Sequence, residues 1–189
     1  HSLLSRVLDK LFTFVGVLSP DGRLIEANRV PLEIADLTQE DVIGKKFWDC
    51  WWWTFSAEVQ EGLKDAIARA AAGETVRYDV PSRMAGGEII VIDLQLVPLT
   101  DEAGKVTEIL PSAIDVTERV RAYGCPLVEV TGGEPLHQPE ASVLVTRLCD
   151  EGYEVLIETS GAIDIGPVDP RAHIIMDVKC PGSGMVDRV

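Results

Sequence analysis

Asp115-Val116-Thr117-Glu118-Arg119 divides this chain of 189 residues into two parts of different character. The five residues end an apolar, strand-like run over 105–116 and begin a polar stretch that can form a helix. The Thr117 hydroxyl can accept a hydrogen bond from the following turn, as an N-cap does. We therefore predict a complete small domain before this segment and an incomplete unit after it. The segment is either a point of coupling or a junction between unrelated pieces.

The bulk composition is that of a globular chain, with 46% hydrophobic and 25% charged residues. The net charge of −14 is shared: residues 1–118 contain 11 basic and 20 acidic residues, and residues 119–189 contain 6 and 11. Neither part has the basic surface that phosphate backbones require, which argues against nucleic-acid binding. No apolar run approaches the roughly 18 residues of a membrane span, and the first residues lack a signal-peptide pattern. We expect a cytoplasmic protein with no membrane contact.

The first part has the strand pattern of an antiparallel sheet. The predicted strands cover residues 11–19, 23–27, 74–84, 88–99 and 105–116. The turn Pro20-Asp21-Gly22 and two glycine-containing loops join consecutive strands as hairpins. This pattern predicts a five-stranded sheet.

Helical patterns interrupt these strands. Apolar spacing predicts a short helix over 2–9 and the longest helix over 56–72, while Asn28 is expected to cap a helix ending at residue 35. Thr38 and Asp41 have the spacing of a capping box. The order predicts an α+β domain whose helices cover one face of the sheet.

Three stretches of this part carry a family resemblance: Asp21-Gly22-Arg23-Leu24-Ile25-Glu26-Ala27-Asn28, Asp41-Val42-Ile43-Gly44-Lys45 and the dividing segment itself. Together, over about residues 10–120, they resemble a PAS domain. The resemblance implies a sensory module of signal transduction that forms a homodimer, with the Asp-x-Thr ending passing signals from the sheet to a following helix. We expect a PAS-like domain over 1–118 and a linker over 119–124.

The PAS resemblance also limits the ligand. Haem-binding relatives need a histidine, and none occurs between Ser2 and Leu136, while flavin-photochemical relatives need a reactive cysteine, and Cys50 lies among tryptophans instead. The tryptophan run is either the wall of a small-molecule cavity or core and dimer surface, and some of its rings must be partly exposed. The expected pocket residues are Phe14, Asn28, Trp48 and Trp51.

The second part has the pattern of a parallel sheet. Short apolar strands are predicted over 127–130, 153–157 and 172–178, with a helix that Pro139 opens and Gly152 ends. Polar clusters follow each strand, at the edge where parallel sheets place ligands. The first cluster, Thr131-Gly132-Gly133-Glu134-Pro135, has glycines that let the backbone approach a ligand closely.

The three polar clusters together resemble 7-carboxy-7-deazaguanine synthase, a radical S-adenosylmethionine family of queuosine biosynthesis. The second and third clusters are Glu158-Thr159-Ser160-Gly161 and Asp177-Val178-Lys179-Cys180-Pro181-Gly182-Ser183-Gly184. The resemblance implies a partial parallel β/α unit of a barrel, in which the first cluster binds the methionyl amino group of S-adenosylmethionine. The cofactor-binding residues that it implies are Thr131, Gly132, Gly133, Glu134, Glu158, Thr159, Ser160, Asp177 and Lys179.

The cysteines depart from this family, which holds a 4Fe–4S cluster on three thiolates. Cys50, Cys125, Cys149 and Cys180 lie far apart, without any metal-binding spacing, and are expected to be buried thiols. The PAS-like unit stands where the cluster loop should precede residue 127. The chain also stops at Val189, before the last strands of a barrel. We expect no 4Fe–4S cluster, no bound metal and no catalytic residue.

Three functions remain open. The first is a non-catalytic chain that joins a PAS sensory and dimerisation module to a truncated synthase-like piece over 125–189, by engineering or gene rearrangement. The second is an active synthase-type lyase, if another chain supplies the cluster loop. The third is a unit that binds S-adenosylmethionine without chemistry. A three-stranded parallel piece with open edges is expected to fold poorly alone, and we expect two separate lobes.

Overall fold

A computed structural model describes residues 13–138 and 140–177. The predicted helix over 2–9, the expected helix start at Pro139, and the candidate residues Lys179 and Cys180 lie outside the described residues. The chain divides into two compact units between Val116 and Thr117, and each is described by itself.

The first unit is built around an antiparallel sheet. Its strands are β1 (Phe14–Leu18), β2 (Leu24–Ala27), β3 (Val76–Arg83), β4 (Ile89–Thr100) and β5 (Val106–Asp115). The strand order is β2-β1-β5-β4-β3, so β5 lies at the centre. This five-stranded sheet confirms the predicted fold class. The order follows from the two hairpins β3–β4 and β4–β5 and from the pairing of β5 with β1, which joins them to the β1–β2 hairpin.

The helices of the first unit cover one face of the sheet. They are α1 (Arg29–Ala35), α2 (Gln39–Val42) and α3 (Ala57–Ala71), with short 3-10 helices at Phe47–Asp49 and Ala85–Gly87. The Ser56 hydroxyl accepts the Val59 N–H at 3.3 Å and caps α3. The buried face of α3 carries the five residues that the sequence pattern indicated: Val59, Leu63, Ala66, Ile67 and Ala70. Burying such side chains stabilises the unit by roughly 1.5–3 kcal/mol for each large one.

The predicted capping box at Thr38 is present. The Thr38 N–H and the Thr38 hydroxyl both donate to Asp41 Oδ2, at 2.8 and 2.7 Å. These bonds hold the pKa of the Asp41 carboxyl below its usual value.

Gly22 is required where the β1–β2 turn meets the tryptophan run. Its φ is +81°, and a Cβ at this position would lie 2.5 Å from Trp48 Cζ3. Both the left-handed backbone and the contact with the ring therefore exclude a side chain. This contact ties the turn to the segment that follows α2.

The second unit contains a separate parallel sheet. Its elements are α4 (Val116–Tyr123), β6 (Leu127–Val130), a 3-10 helix at Pro135–His137, α5 (Glu140–Asp150), β7 (Glu154–Thr159) and β8 (His173–Met176). The strand order is β6-β7-β8, and both pairs are parallel, as predicted. The buried core consists of Val145 and Leu148 from α5, Val155 and Ile157 from β7, and Val168.

The dividing segment differs from the prediction in two respects. Residues 119–124 were expected to be a linker, but α4 continues to Tyr123, because Val120 packs against the core of the second unit. Arg121 also donates to Glu151 at 2.8 Å. In addition, Thr117 lies in the first turn of α4 and not at its cap, and Asp115 precedes the helix. The helix therefore belongs structurally to the second unit.

The edge strand β8 is exposed along its whole length. Ile174, Ile175 and Met176 are 40%, 41% and 51% exposed. Successive side chains of a strand point to opposite faces, so within residues 13–138 and 140–177 nothing covers either face of β8 or pairs with its outer edge. No helix of the described residues is long and apolar enough to cross a membrane.

Candidate functional site

The first unit contains a partly open apolar cavity of about 50 Å³ between its sheet and the segments packed over it. The sheet side is formed by Phe14 of β1, Ile92 and Leu94 of β4, and Pro111 and Ala113 of β5. These residues line the cavity because strand side chains alternate between faces, and this face is the buried one. In the part of the chain that the structure describes, no charged side chain lines the cavity.

The tryptophan run divides between the cavity and the surface. Trp52 and Trp53 line the cavity and are 4% and 2% exposed. Trp48 and Trp51 are half-buried and lie under Lys46 and Arg83, whose charged groups are 5.4 and 4.1 Å from the ring centroids. Trp48 and Trp51, expected in the pocket, are therefore not among its lining residues. Four tryptophans within six residues show no helix or strand periodicity, so the sequence does not indicate which two rings are buried.

Asn28 has a structural position next to the cavity rather than in its lining. It occupies the residue before α1, but its side chain does not cap that helix. The Asn28 Oδ1 instead accepts the Val15 N–H at 3.0 Å, and its Nδ2 donates to the Thr13 carbonyl at 2.8 Å. Asn28 thus fixes the start of β1, and of the expected pocket residues only Phe14 lines the cavity.

The cysteines have different environments. Cys50 is fully buried, and burial raises the pKa of its thiol to about 12. Cys125 is exposed and Cys149 is partly buried. The expectation of buried thiols is therefore wrong for Cys125, because the short connection between α4 and β6 lies at the surface.

In the second unit, the carboxyl ends of the three parallel strands bring the predicted polar clusters to one edge. The Thr131 hydroxyl donates to Glu158 Oε2 at 2.6 Å, which joins the ends of β6 and β7. The Asp177 N–H donates to the Thr159 carbonyl at 2.8 Å, which joins β7 to the end of β8. The structure therefore brings together the predicted residues that it describes.

The Glu134 carboxylate is the centre of this edge. Its Oε2 accepts from the Ser160 N–H at 2.8 Å and the Ser160 hydroxyl at 2.6 Å. The Thr159 hydroxyl donates at 2.9 Å, and the Leu136 N–H donates to Oε1 at 3.2 Å. Partial burial alone would raise the pKa of Glu134, but the hydrogen bonds from Ser160, Thr159 and Leu136 outweigh it and lower the pKa to about 2. The carboxylate is ionised and engaged by protein donors.

The loop before Glu134 is open. Gly132 and Gly133 have φ values of +109° and +61°, and a Cβ on either would meet no atom within 4 Å. Among the described residues, no atom therefore occupies the space beside these two glycines.

Comparison with known proteins identifies the first unit. The model of the PAS fold family matches residues 8–121. The chain belongs to the PAS fold family. Its PAS unit is 35% identical over 115 residues to hybrid signal transduction histidine kinase D of Dictyostelium discoideum, a match that covers 60% of this chain and 7% of the kinase. The structure of the PAS domain of Bordetella pertussis BvgS matches with a TM-score of 0.51 and 20% identity, covering 64% of this chain and 89% of that one.

The part after the PAS unit is partially homologous to 7-carboxy-7-deazaguanine synthase. The enzyme of Chlorobaculum tepidum is 47% identical over 73 residues, which is 39% of this chain and 33% of the enzyme. The chain thus spans a small fraction of the kinase and about a third of the synthase. Both resemblances inferred from the sequence motifs are confirmed.

The described residues can be tested against the two groups that the synthase resemblance implies, a 4Fe–4S cluster and the methionyl zwitterion of S-adenosylmethionine. Among the described residues, no three His, Cys, Asp or Glu side chains converge on a possible metal position, so the described donors do not fit an iron–sulfur cluster. The described residues leave the space beside Gly132 and Gly133 open to a small ligand. The Glu134 side chain fits a zwitterion poorly, because its oxygens already accept from four protein donors.

Proposed function

We propose that the PAS unit is a sensory module that detects a small uncharged molecule in its apolar cavity and transmits binding through α4. One observation supports this: the cavity wall and the outgoing helix are parts of one continuous segment. Pro111 and Ala113 of the central strand β5 line the cavity, and α4 begins directly where β5 ends at Asp115. A change in cavity volume would displace β5 and with it the start of α4.

A cavity-filling substitution tests this coupling without a known ligand. Ala113→Val adds two methyl groups to the wall, and Ile114→Val on the same strand changes a residue that is 39% exposed. We expect Ala113→Val, but not Ile114→Val, to change amide hydrogen exchange in peptides covering 117–123. Equal exchange in both variants and the unaltered protein would refute transmission through α4.

We also propose that the PAS unit forms a homodimer in the cytoplasm. Exposed apolar side chains of this unit support self-association: Ile25, Ile34 and Ile43 are 37–51% exposed. Sedimentation velocity should show a dimer at micromolar concentration, and a monomer up to 100 µM, roughly the concentration range of weak domain contacts, would contradict it.

For the second unit, we propose a non-catalytic role in this chain. The support is the donor chemistry: a radical S-adenosylmethionine reaction needs three cluster thiolates. The four cysteines are far apart in sequence, and the three described ones, Cys50, Cys125 and Cys149, lie in different environments. Anaerobic reconstitution with iron and sulfide should give no cluster absorption and no reductive cleavage of S-adenosylmethionine. Appearance of both would overturn the proposal.

A second candidate function is binding of S-adenosylmethionine without chemistry, favoured by the open backbone of Gly132 and Gly133. The loop backbone would then hold the methionyl amino group, while Glu134 keeps the loop in place. Isothermal titration should detect binding to the unaltered chain and weaker binding to Gly133→Ala. Absence of heat at millimolar ligand would rule it out.

A further inference from the structure

The strand β8 is an edge of the parallel sheet in the second unit. It pairs with β7 on one side, and no described strand pairs with its other side. The opposite edge strand, β6, carries the exposed carboxylate of Glu129, and a charged side chain on an edge strand hinders further pairing. The centre of β8 is apolar, and its residues Ile174, Ile175 and Met176 are 40–51% exposed. Of the two edges, β8 is therefore the one suited to a further strand.

The backbone of β8 determines which of its residues can bond to that strand. The N–H and C=O groups of one strand residue point to the same side, and successive residues alternate between the two sides. The Asp177 N–H donates to the Thr159 carbonyl of β7 at 2.8 Å, so Ile175, two residues earlier, also faces β7. Ile174 and Met176 therefore present their backbone groups to the outer edge.

The side chains of β8 complement those of a second copy in one register. The same strand of a second copy can pair with this edge in antiparallel orientation about a two-fold axis, as in closed dimers. With the axis at Ile175, that side chain faces its own copy, and Ile174 faces Met176. His173 then faces Asp177. Moving the axis to Ile174 would place His173 opposite Ile175, and moving it to Met176 would place Asp177 there. Only the register centred on Ile175 matches apolar with apolar and polar with polar side chains.

The polar ends of the strand favour the same register. The His173 side chain is 64% exposed, and its Nε2 lies 3.8 Å from Glu154 Oε1. The imidazole has a second nitrogen, Nδ1, that can form a hydrogen bond with the Asp177 carboxylate of the second copy. Complementary polar groups at directly facing positions stabilise a strand pair, whereas like charges there destabilise it.

We propose that β8 is a self-association surface, at which two copies of the chain join their parallel sheets through an antiparallel β8–β8 pair centred on Ile175. Backbone hydrogen bonds between Ile174 and Met176 hold the pair together. The net charge of −14 opposes the contact, so it requires an ionic strength at which charges are screened beyond about 8 Å. The contact does not depend on the sensory function. Because the proposed PAS homodimer uses another surface, the two contacts together would link copies into open chains.

Disulfide trapping in the full chain tests the register. In a non-hydrogen-bonded antiparallel pair the Cα atoms are about 4.5 Å apart, a separation that a disulfide spans. Ile175→Cys should therefore give a covalent dimer with oxidised glutathione at physiological ionic strength. Ile174→Cys is the matched control, because its exposure is similar but its two copies would lie two residues out of register, roughly 8 Å apart and too far for a disulfide. Both variants carry Cys125→Ser, since Cys125 is exposed.

Peptide mass spectrometry identifies the linked cysteines. We expect a linkage between two copies of position 175 in Ile175→Cys and no linkage through position 174 in Ile174→Cys. Equal yields from the two variants would indicate random encounters and would overturn the proposal, as would the absence of the 175 linkage at about 1 mM protein, the upper end of weak contacts. The linkage should persist when Ile25→Asp places a charge in the exposed apolar surface of the PAS unit. Its loss there would overturn a separate contact at β8.

Amide hydrogen exchange of the unaltered chain gives a second measurement that needs no variant. The Ile174 and Met176 N–H groups should exchange several-fold more slowly as the protein concentration rises from about 10 to about 500 µM, because mass action fills the dimer. The Ile175 N–H faces β7 in either state and should not change. Slow exchange of Ile174 and Met176 at every concentration would mean that another segment of the same chain occupies the edge. That result, or fast exchange at every concentration, would overturn the proposal.

Discussion

Replacing Glu134 with Gln should destabilise the second unit and leave the PAS unit unaffected. The carboxylate accepts from the Ser160 N–H and hydroxyl, the Thr159 hydroxyl and the Leu136 N–H. Gln at this position turns one acceptor oxygen into a donor, which faces those donors and leaves some of them unsatisfied. Hydrogen bonds to charged groups contribute roughly 1.5–3 kcal/mol each, so the loss should be measurable.

The lowered pKa of Glu134 gives an independent estimate of how much its hydrogen bonds stabilise the second unit. A fall from the ordinary value of 4.5 to about 2 corresponds to an upper limit of roughly 3 kcal/mol, and solvent screening at this half-buried position reduces it to roughly 1.5–2 kcal/mol. Because the folded-state pKa is lowered, this stability is fully present above pH 4.5 and is lost as the pH falls towards 2. Glu134→Gln should remove that acid-dependent loss.

The assay can separate the two units because all four tryptophans, Trp48 and Trp51 to Trp53, lie in the PAS unit. Urea unfolding followed by tryptophan fluorescence should be the same for Glu134→Gln and the unaltered chain. Hydrogen exchange in peptides of β6 and β7 should be faster in the variant, by the factor of about 10–30 that 1.5–2 kcal/mol implies. Glu129→Gln, at an exposed carboxylate of β6, is the control. Unchanged exchange at β7 in Glu134→Gln would refute the reasoning.

Three further outcomes are expected in the PAS unit. Gly22→Ala should lower the free energy of unfolding by more than Gly44→Ala, since both have φ near +80° but only a Cβ on Gly22 would meet a ring, at 2.5 Å. The backbone strain alone should cost about 1 kcal/mol in each variant. Equal losses of stability in urea titrations would contradict the contact with the ring. Asn28→Ala should lower the free energy of unfolding by about 2 kcal/mol, because the Val15 N–H and the Thr13 carbonyl lose their partners. Asn28→Asp should keep the bond from the Val15 N–H and lose less stability. Unfolding followed by fluorescence measures both losses, and equal losses would contradict the role of the Val15 bond. Iodoacetamide at pH 8 should label Cys125 and spare Cys50, whose thiol pKa is about 12, and peptide mass spectrometry showing labelled Cys50 in folded protein would argue against its burial.

Regular periodicity made much of the fold predictable. The strand-like runs of β3, β4 and β5 between glycine-containing loops, and the apolar spacing of α3, gave elements within about two residues of those observed, because these patterns reflect burial and turn formation directly. The strand ends that meet around Glu134 were also predictable, since parallel strands place their carboxyl ends at one edge.

What could not be predicted depends on tertiary contacts between distant residues. Nothing in the run Trp51-Trp52-Trp53 indicates which ring contacts Phe47 and which lies against Arg83. The expected linker is helical because Val120 and Arg121 find partners in α5 and its surroundings, and those partners are some 30 residues away in sequence. The engagement of Glu134 by Ser160 was hidden for the same reason.

The exposed strand β8 has a consequence for handling this protein. An uncovered apolar edge is a template on which further chains can add strands. The net charge of −14 opposes this association, because copies of like charge repel each other. Added salt shortens the range of that repulsion to about 8 Å at physiological ionic strength. Concentrated samples should therefore remain clear at low ionic strength and become turbid as sodium chloride is added.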